Sequence, residues 1–222
     1  MERELTDQAR DGQRNRVRLE RFPGGGPDAT RRALATAAEA RAVVLVEGIS
    51  DQIALETLAA RRGRSLDGEG VAIVPMGGAQ AIGGFLARFG PRGRNKTLAG
   101  LCDAGEEAVF RSGLERAGLG SELTRSDMEQ LGFYVCVVDL EDELIRAVGP
   151  ARVEAILEAE GDLGSFRTFQ KQPAWHGRDA QAQRRRFMGS ADRRKLRYAR
   201  ILVEALELAD IPHPLDGVLG RV

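Results

Sequence analysis

Three acidic clusters in this 222-residue chain follow apolar runs, and their positions matter more than their number. Val43-Val44-Leu45-Val46 leads into Glu47-Gly48-Ile49-Ser50-Asp51. Thr97 to Cys102 leads into Asp103-Ala104-Gly105-Glu106-Glu107, and Phe133 to Val138 into Asp139-Leu140-Glu141-Asp142-Glu143. Short β-branched runs read as buried strands, so each cluster stands where a strand ends. One acid in a first helical turn is favoured by the helix dipole alone and says little. Three clusters at matching places describe a shared site, because gathered carboxylate oxygens are hard donors suited to Mg²⁺ or Mn²⁺.

The elements that must position these residues alternate. Strands are expected at Val43–Val46, Val71–Pro75, Thr97–Cys102 and Phe133–Val138. Helices are expected from Ser50, as N-cap, onward, over Ala79–Phe89, over Glu106–Ala117 and from Leu140 to Glu160 with an interruption at Gly149-Pro150. Continuous apolar strands between helices imply an α/β fold with a mostly parallel four-stranded sheet covered on both faces. Right-handed crossovers then deliver the strand C-terminal ends, and the acids, to one edge. Residues 1–28 alternate charges and end in a Pro/Gly turn, reading as a mobile charged arm, with Asp28 capping a helix to Ala40. Residues 29–164 hold the sheet. Residues 165–222 form a basic helical extension whose strongest helix spans Asp192 to Ala209, ended by Pro212 and Pro214.

Composition bounds the function. There are 33 basic and 33 acidic residues, so net charge is zero, but the charge is unevenly placed. Leu101–Glu160 carries 14 acids against 5 arginines, whereas Gly161–Arg200 carries 11 basic residues against Asp162, Asp179 and Asp192. An acidic middle and a basic end suit a metal site beside a phosphate-gripping surface. Apolar runs reach only six residues, and Met1 to Glu4 is followed by no apolar segment, so the expectation is a cytoplasmic protein without a membrane span. Two cysteines make neither a disulfide framework nor a four-thiolate zinc site, and Cys102 and Cys136 read as core. His176 and His213 stand alone, which argues against a Ser-His-Asp hydrolase. The glycines from Gly77-Gly78 to Gly83-Gly84 lack the Lys-Ser/Thr of a nucleotide loop, and Gly77-Gly78 reads as a turn near the site that can offer amides to phosphate. Trp175, Phe166, Phe169 and Phe187 read first as core and second as base-stacking rings.

Together, Val43–Asp51 (VVLVEGISD), the Gly77-Gly78 turn, Asp103, and Asp139 to Leu144 resemble a TOPRIM domain, most of all that of the OLD (overcoming lysogenization defect) nucleases. The resemblance covers about residues 41–148 and extends weakly to the C-terminal helix. It implies a TOPRIM-like Rossmannoid fold and Mg²⁺- or Mn²⁺-dependent cleavage of phosphodiester bonds in DNA, with RNA as the alternative. Carried over, Glu47, Asp51, Asp103 and Glu141 hold one or two ions, with Asp139 and Glu143 secondary. Lys195 matches the lysine that OLD nucleases use on their C-terminal helix. Where TOPRIM domains have Asp-x-Asp this chain has Asp103-Ala104-Gly105, leaving Glu106 or Glu107 as substitutes for the second ligand. Arg184, Arg185, Arg186, Arg193, Arg194 and Arg197 are expected to grip the nucleic-acid backbone. OLD proteins join TOPRIM to an ATPase with a Walker loop; none occurs here, so the implied partner is a separately encoded ATPase, and an oligomer is possible. The competing readings are a non-catalytic TOPRIM scaffold in repair or phage defence and a nucleotidyl-transfer module.

Overall fold

The computed structural model describes residues 27–222. The expected arm lies outside the described residues except for its last two positions, and those already belong to helix α1 (Pro27–Glu39).

Each apolar run supplies a strand that is largely buried because helices cover both faces of the sheet. The strands are β1 (Ala42–Val46), β2 (Val71–Pro75), β3 (Thr97–Cys102) and β4 (Phe133–Val135). They form one parallel sheet in the order β2-β1-β3-β4, with Val46 beside both Pro75 and Leu101 and with Leu101 beside Tyr134. The chain leaves β1 for β2 on one side and reaches β3 on the other. The crevice between the C-terminal ends of β1 and β3 is therefore the topological switch point, where open α/β sheets hold ligands.

Several boundaries differ from expectation, each for a local reason. Helix α2 (Ile49–Arg61) is capped by Gly48 and not Ser50, since the Gly48 N–H donates to Asp51 Oδ2 at 2.8 Å and draws the helix start back. A 3₁₀ turn over Ala79–Ala81 precedes α3 (Ile82–Phe89), and another over Ala104–Glu106 precedes α4 (Glu107–Arg116). Helix α5 (Arg125–Gln130) was not anticipated; its signal is the Thr124–Asp127 capping pair. Strand β4 stops three residues early. The Cys136 N–H still reaches Cys102 O at 2.9 Å, but the Val137 N–H turns to Glu143 Oε1 at 2.6 Å, leaving Val137 exposed. The interruption at Gly149 is real: with φ +82° it separates α6 (Leu140–Val148) from α7 (Pro150–Ala159), which opens on proline.

Beyond these lie α8 (Leu163–Gln170), α9 (Ala180–Met188), α10 (Asp192–Ala205) and α11 (His213–Arg221). Pro212 and Pro214 thus begin a helix as well as follow one. On one sheet face Val44, Val46 and Leu55 share a core with Leu202, Val203, Leu215 and Val218, so helices on both sides of residue 165 fill one interior. On the other face Val43, Leu45, Leu86, Phe110 and Phe133 pack together under α1, α3, α4 and α5.

Two arginines at the end of α2 lock the C-terminal helices down. Arg61 donates to Val203 O at 2.8 Å and Leu206 O at 2.7 Å, and Arg64 to Leu219 O and Val222 O at 2.6 and 2.7 Å. These carbonyls end α10 and α11, where intrahelical donors run out. Arg61→Ala is expected to lower unfolding stability by about 2 kcal/mol, the scale of losing hydrogen bonds from a charged donor, with Leu206 O left without that donor while Val203 O keeps the Leu206 N–H, read as a reduced urea midpoint.

Candidate functional site

The Glu47 side chain, one residue past β1, crosses the switch point: its Oε1 accepts from the Asp103 N–H at 2.9 Å. Its backbone carbonyl accepts from the N–H groups of Gly77 and Gly78, both at 3.1 Å. Those amides are committed to positioning Glu47, so the expectation that they face phosphate gives way to a supporting role. Both glycines have positive φ, +81° and +122°, a conformation side-chain-bearing residues rarely adopt.

Asp51 lies one helical turn further on and is 8% exposed. Burial pushes its carboxyl up to about 7, with Glu141 and Glu47 adding to the rise and the Gly48 N–H and Lys195 opposing it. Burial also raises Asp103, to about 8, and Glu47, Asp51, Asp139 and Glu141 all push the same way. Burial raises Glu141 as well, against the pull of Lys195. Acids from three separate strand ends are thus near enough to one another for each to oppose ionisation of the next. Lys195, from α10, reaches them: Nζ lies 3.4 Å from Glu141 Oε1. Its own burial works against its charge, but Glu141, Asp51 and Asp103 outweigh that and raise its pKa.

The remaining expected residues divide. Glu106 is close enough to raise Glu47, whereas Glu107 is occupied by Arg111 and Arg125. Asp139 caps α6 through the Asp142 N–H at 2.9 Å and pairs with Arg185 at 3.2 Å. Glu143 is tied to Val137 N–H and, at 2.5 Å, to Arg146, so its oxygens serve the loop. Among the described residues no three acidic, histidine or cysteine side chains already stand in a cation-coordinating arrangement. The donor set nevertheless suits a hard divalent cation: the carboxylates are desolvated, mutually repelling and oxygen-only, and the buried Glu141 Oε1 has only the Lys195 ammonium, at 3.4 Å, beside it.

The arginine run also divides. Arg186 and Arg193 are exposed, and Arg184 is half-buried with Nε lacking a hydrogen-bond partner. Arg185 belongs to Asp139. Arg194 lies over Phe187 at 4.2 Å and bonds Ser190 Oγ at 2.9 Å. Arg197 pairs with Asp162 and Glu160. Sequence reasoning missed Gln181, whose Nε2 reaches Asp142 Oδ1 at 3.0 Å and ties α9 to the acidic turn; no sequence signal marks a lone glutamine for that task.

A family model, the OLD-like TOPRIM domain of overcoming lysogenization defect protein-like sequences, matches residues 40–93. The C-terminal region of the Xanthomonas campestris pv. campestris OLD protein superposes with a TM-score of 0.64 at 21% identity, over 84% of this chain and 94% of that one. The C-terminal region of the Burkholderia pseudomallei OLD protein gives 0.60 at 19% identity, over 82% and 96%. The chain carries a TOPRIM domain related to that of OLD proteins. No curated protein matches it in sequence. The matched segment of the TOPRIM domain contains Glu47, Asp51 and the Gly77-Gly78 turn, and stops before Asp103, Glu141 and Lys195. No helix among the described residues is long and apolar enough to cross a membrane.

A TOPRIM edge of this kind makes stability depend on pH. Asp51 and Asp103 hold their protons to higher pH when folded than when unfolded, so the folded state binds more protons between about pH 4 and 8. Stability therefore falls as pH rises through that window. Asp103→Asn is expected to flatten the slope and to stabilise the chelated protein at pH 8 by about 1 kcal/mol, discounted because solvent reaches the group. Urea melts at pH 5 and pH 8 in EDTA check this.

Proposed function

We propose that the protein is a divalent-cation-dependent nuclease that cleaves phosphodiester bonds in DNA, with RNA as the alternative substrate. The observation that carries this reading is the placement of Glu47, Asp51, Asp103 and Glu141 at the strand ends by the sheet's switch point, with Glu47 bonded to the Asp103 N–H and Lys195 3.4 Å from Glu141. Glu47, Asp51, Asp103 and Glu141 are the residues that would hold Mg²⁺ or Mn²⁺, with Glu106 beside Glu47. Such an ion, when bound, neutralises phosphate charge and acidifies a coordinated water. The chain does the rest. The Gly77 and Gly78 amides fix the backbone behind Glu47, and Asp139 and Gln181 hold the acidic turn against α9. Lys195 keeps its proton because three carboxylates surround it, so a fixed cation stands where negative charge develops on the attacked phosphate. Arg186 and Arg193 lie exposed on the same basic segment and grip the backbone without reading sequence. A separately encoded ATPase is the proposed partner, and the cytoplasm the proposed setting.

One observation favours a second reading, a non-catalytic TOPRIM scaffold. Position 105, where the second carboxylate of the TOPRIM pair is expected, is an exposed glycine. Digestion of supercoiled plasmid, linear duplex and structured RNA with Mg²⁺ or Mn²⁺ decides between them. Cleavage is expected from the wild type, none from Glu47→Gln with unchanged melting temperature, and a loss of about 100-fold in Lys195→Ala. Metal binding without cleavage of any substrate supports the scaffold.

A further inference from the structure

Between α8 and α9 the chain makes a loop, residues 171–179, in which nearly every side chain is exposed. Its backbone is nevertheless fixed. The N–H groups of Trp175 and His176 both donate to Gln172 O at 2.8 Å, and the Arg178 N–H donates to Trp175 O at 3.1 Å. Beneath it Gln183, 5% exposed, uses both ends of its amide: Nε2 donates to Trp175 O at 2.7 Å, and Oε1 accepts from Gln170 at 2.7 Å. Phe166 and Phe187 complete the core there, at 2% and 3% exposed. Trp175 is left half-buried at the rim, backed by Phe169 at 5.1 Å between centroids and overlain by the Arg178 guanidinium at 5.7 Å.

This loop sits beside the acidic edge. Gln183, which holds Trp175, is flanked on α9 by Gln181, which bonds Asp142, and by Arg185, which pairs with Asp139. Lys171, His176 and Arg178 are exposed in the same loop, and its one acid, Asp179, is turned to the Ala182 N–H as the cap of α9. A rigid, half-exposed aromatic ring with a planar cation over it, set in a basic segment, has the chemistry that stacks unpaired bases while cations track the phosphates. We infer that the 171–179 loop is a stacking platform for single-stranded nucleic acid, with Trp175 and Arg178 receiving a base and Lys171 contacting the adjoining backbone. The inference deepens the proposed nuclease reading by giving the strand a place to lie beside the cleavage edge, and it rests on that reading only for the class of substrate.

Trp175 is the chain's one tryptophan, so its fluorescence reports the loop alone. The test titrates the full chain, in EDTA to prevent cleavage, with fluorescein-labelled oligothymidylate and separately with a duplex of equal length. Expected are quenching of Trp175 emission that saturates together with the oligothymidylate anisotropy, little quenching by duplex, and about tenfold weaker single-strand binding in Trp175→Ala, with Trp175→Phe near wild type. Absence of single-strand binding, anisotropy that saturates without quenching, equal quenching by duplex, or unweakened binding by Trp175→Ala would each overturn it. Cleavage is scored separately with Mg²⁺. Cleavage without quenching removes the platform and leaves the nuclease site, and quenching without cleavage does the reverse.

Discussion

Everything at this sheet edge depends on keeping several carboxylates close together and partly dry. Repulsion and desolvation both oppose that arrangement, and the raised proton affinities of Asp51 and Asp103 express the cost. Two kinds of compensation hold it. Backbone donors come first: Gly48 to Asp51, Asp103 to Glu47, and Gly77 with Gly78 to the Glu47 carbonyl. The second is Lys195, a single cation facing Asp51, Asp103 and Glu141. Its delivery constrains the whole C-terminal half. Helices α2 and α10 run side by side in the same direction, with Lys195 facing Asp51 near their starts and Arg61 bonded to Val203 and Leu206 carbonyls at their ends. Locking α10 at both ends makes its position part of the site.

The strands and the three acidic turns were legible because both follow from local pattern: β-branched runs, then acids, then helical periodicity. Strand β2 and strand β3 match their expected bounds. What the sequence did not show was long-range. Nothing near Val137 marks Glu143 as the acceptor that ends β4 early, whereas Pro212 and Pro214, read only as ending a helix, also carry the local signal for the start of α11, with Asp216 in its first turn. The same holds at the site. Acids could be placed at the edge from spacing, but Glu143 and Glu107 are diverted by Arg146, Arg111 and Arg125, partners that only the folded arrangement selects. Likewise the arginine run looked uniform, yet its members divide between ion pairs and solvent.

The departure at Asp103-Ala104-Gly105 has a structural counterpart. A 3₁₀ turn follows Asp103 directly, bringing Glu106 near Glu47 while Gly105 lies exposed. A carboxylate is therefore available close to the expected place, from a different backbone position. Whether the edge supports chemistry turns on whether these oxygens gather around one ion.

Isothermal titration with Mn²⁺ of the wild-type chain and of Glu47→Gln measures that most directly. The account predicts saturable binding by the wild type, accompanied at pH 7 by proton release, and its loss in Glu47→Gln. Absence of Mn²⁺ binding in the wild type, or equal affinity in the variant, would contradict it.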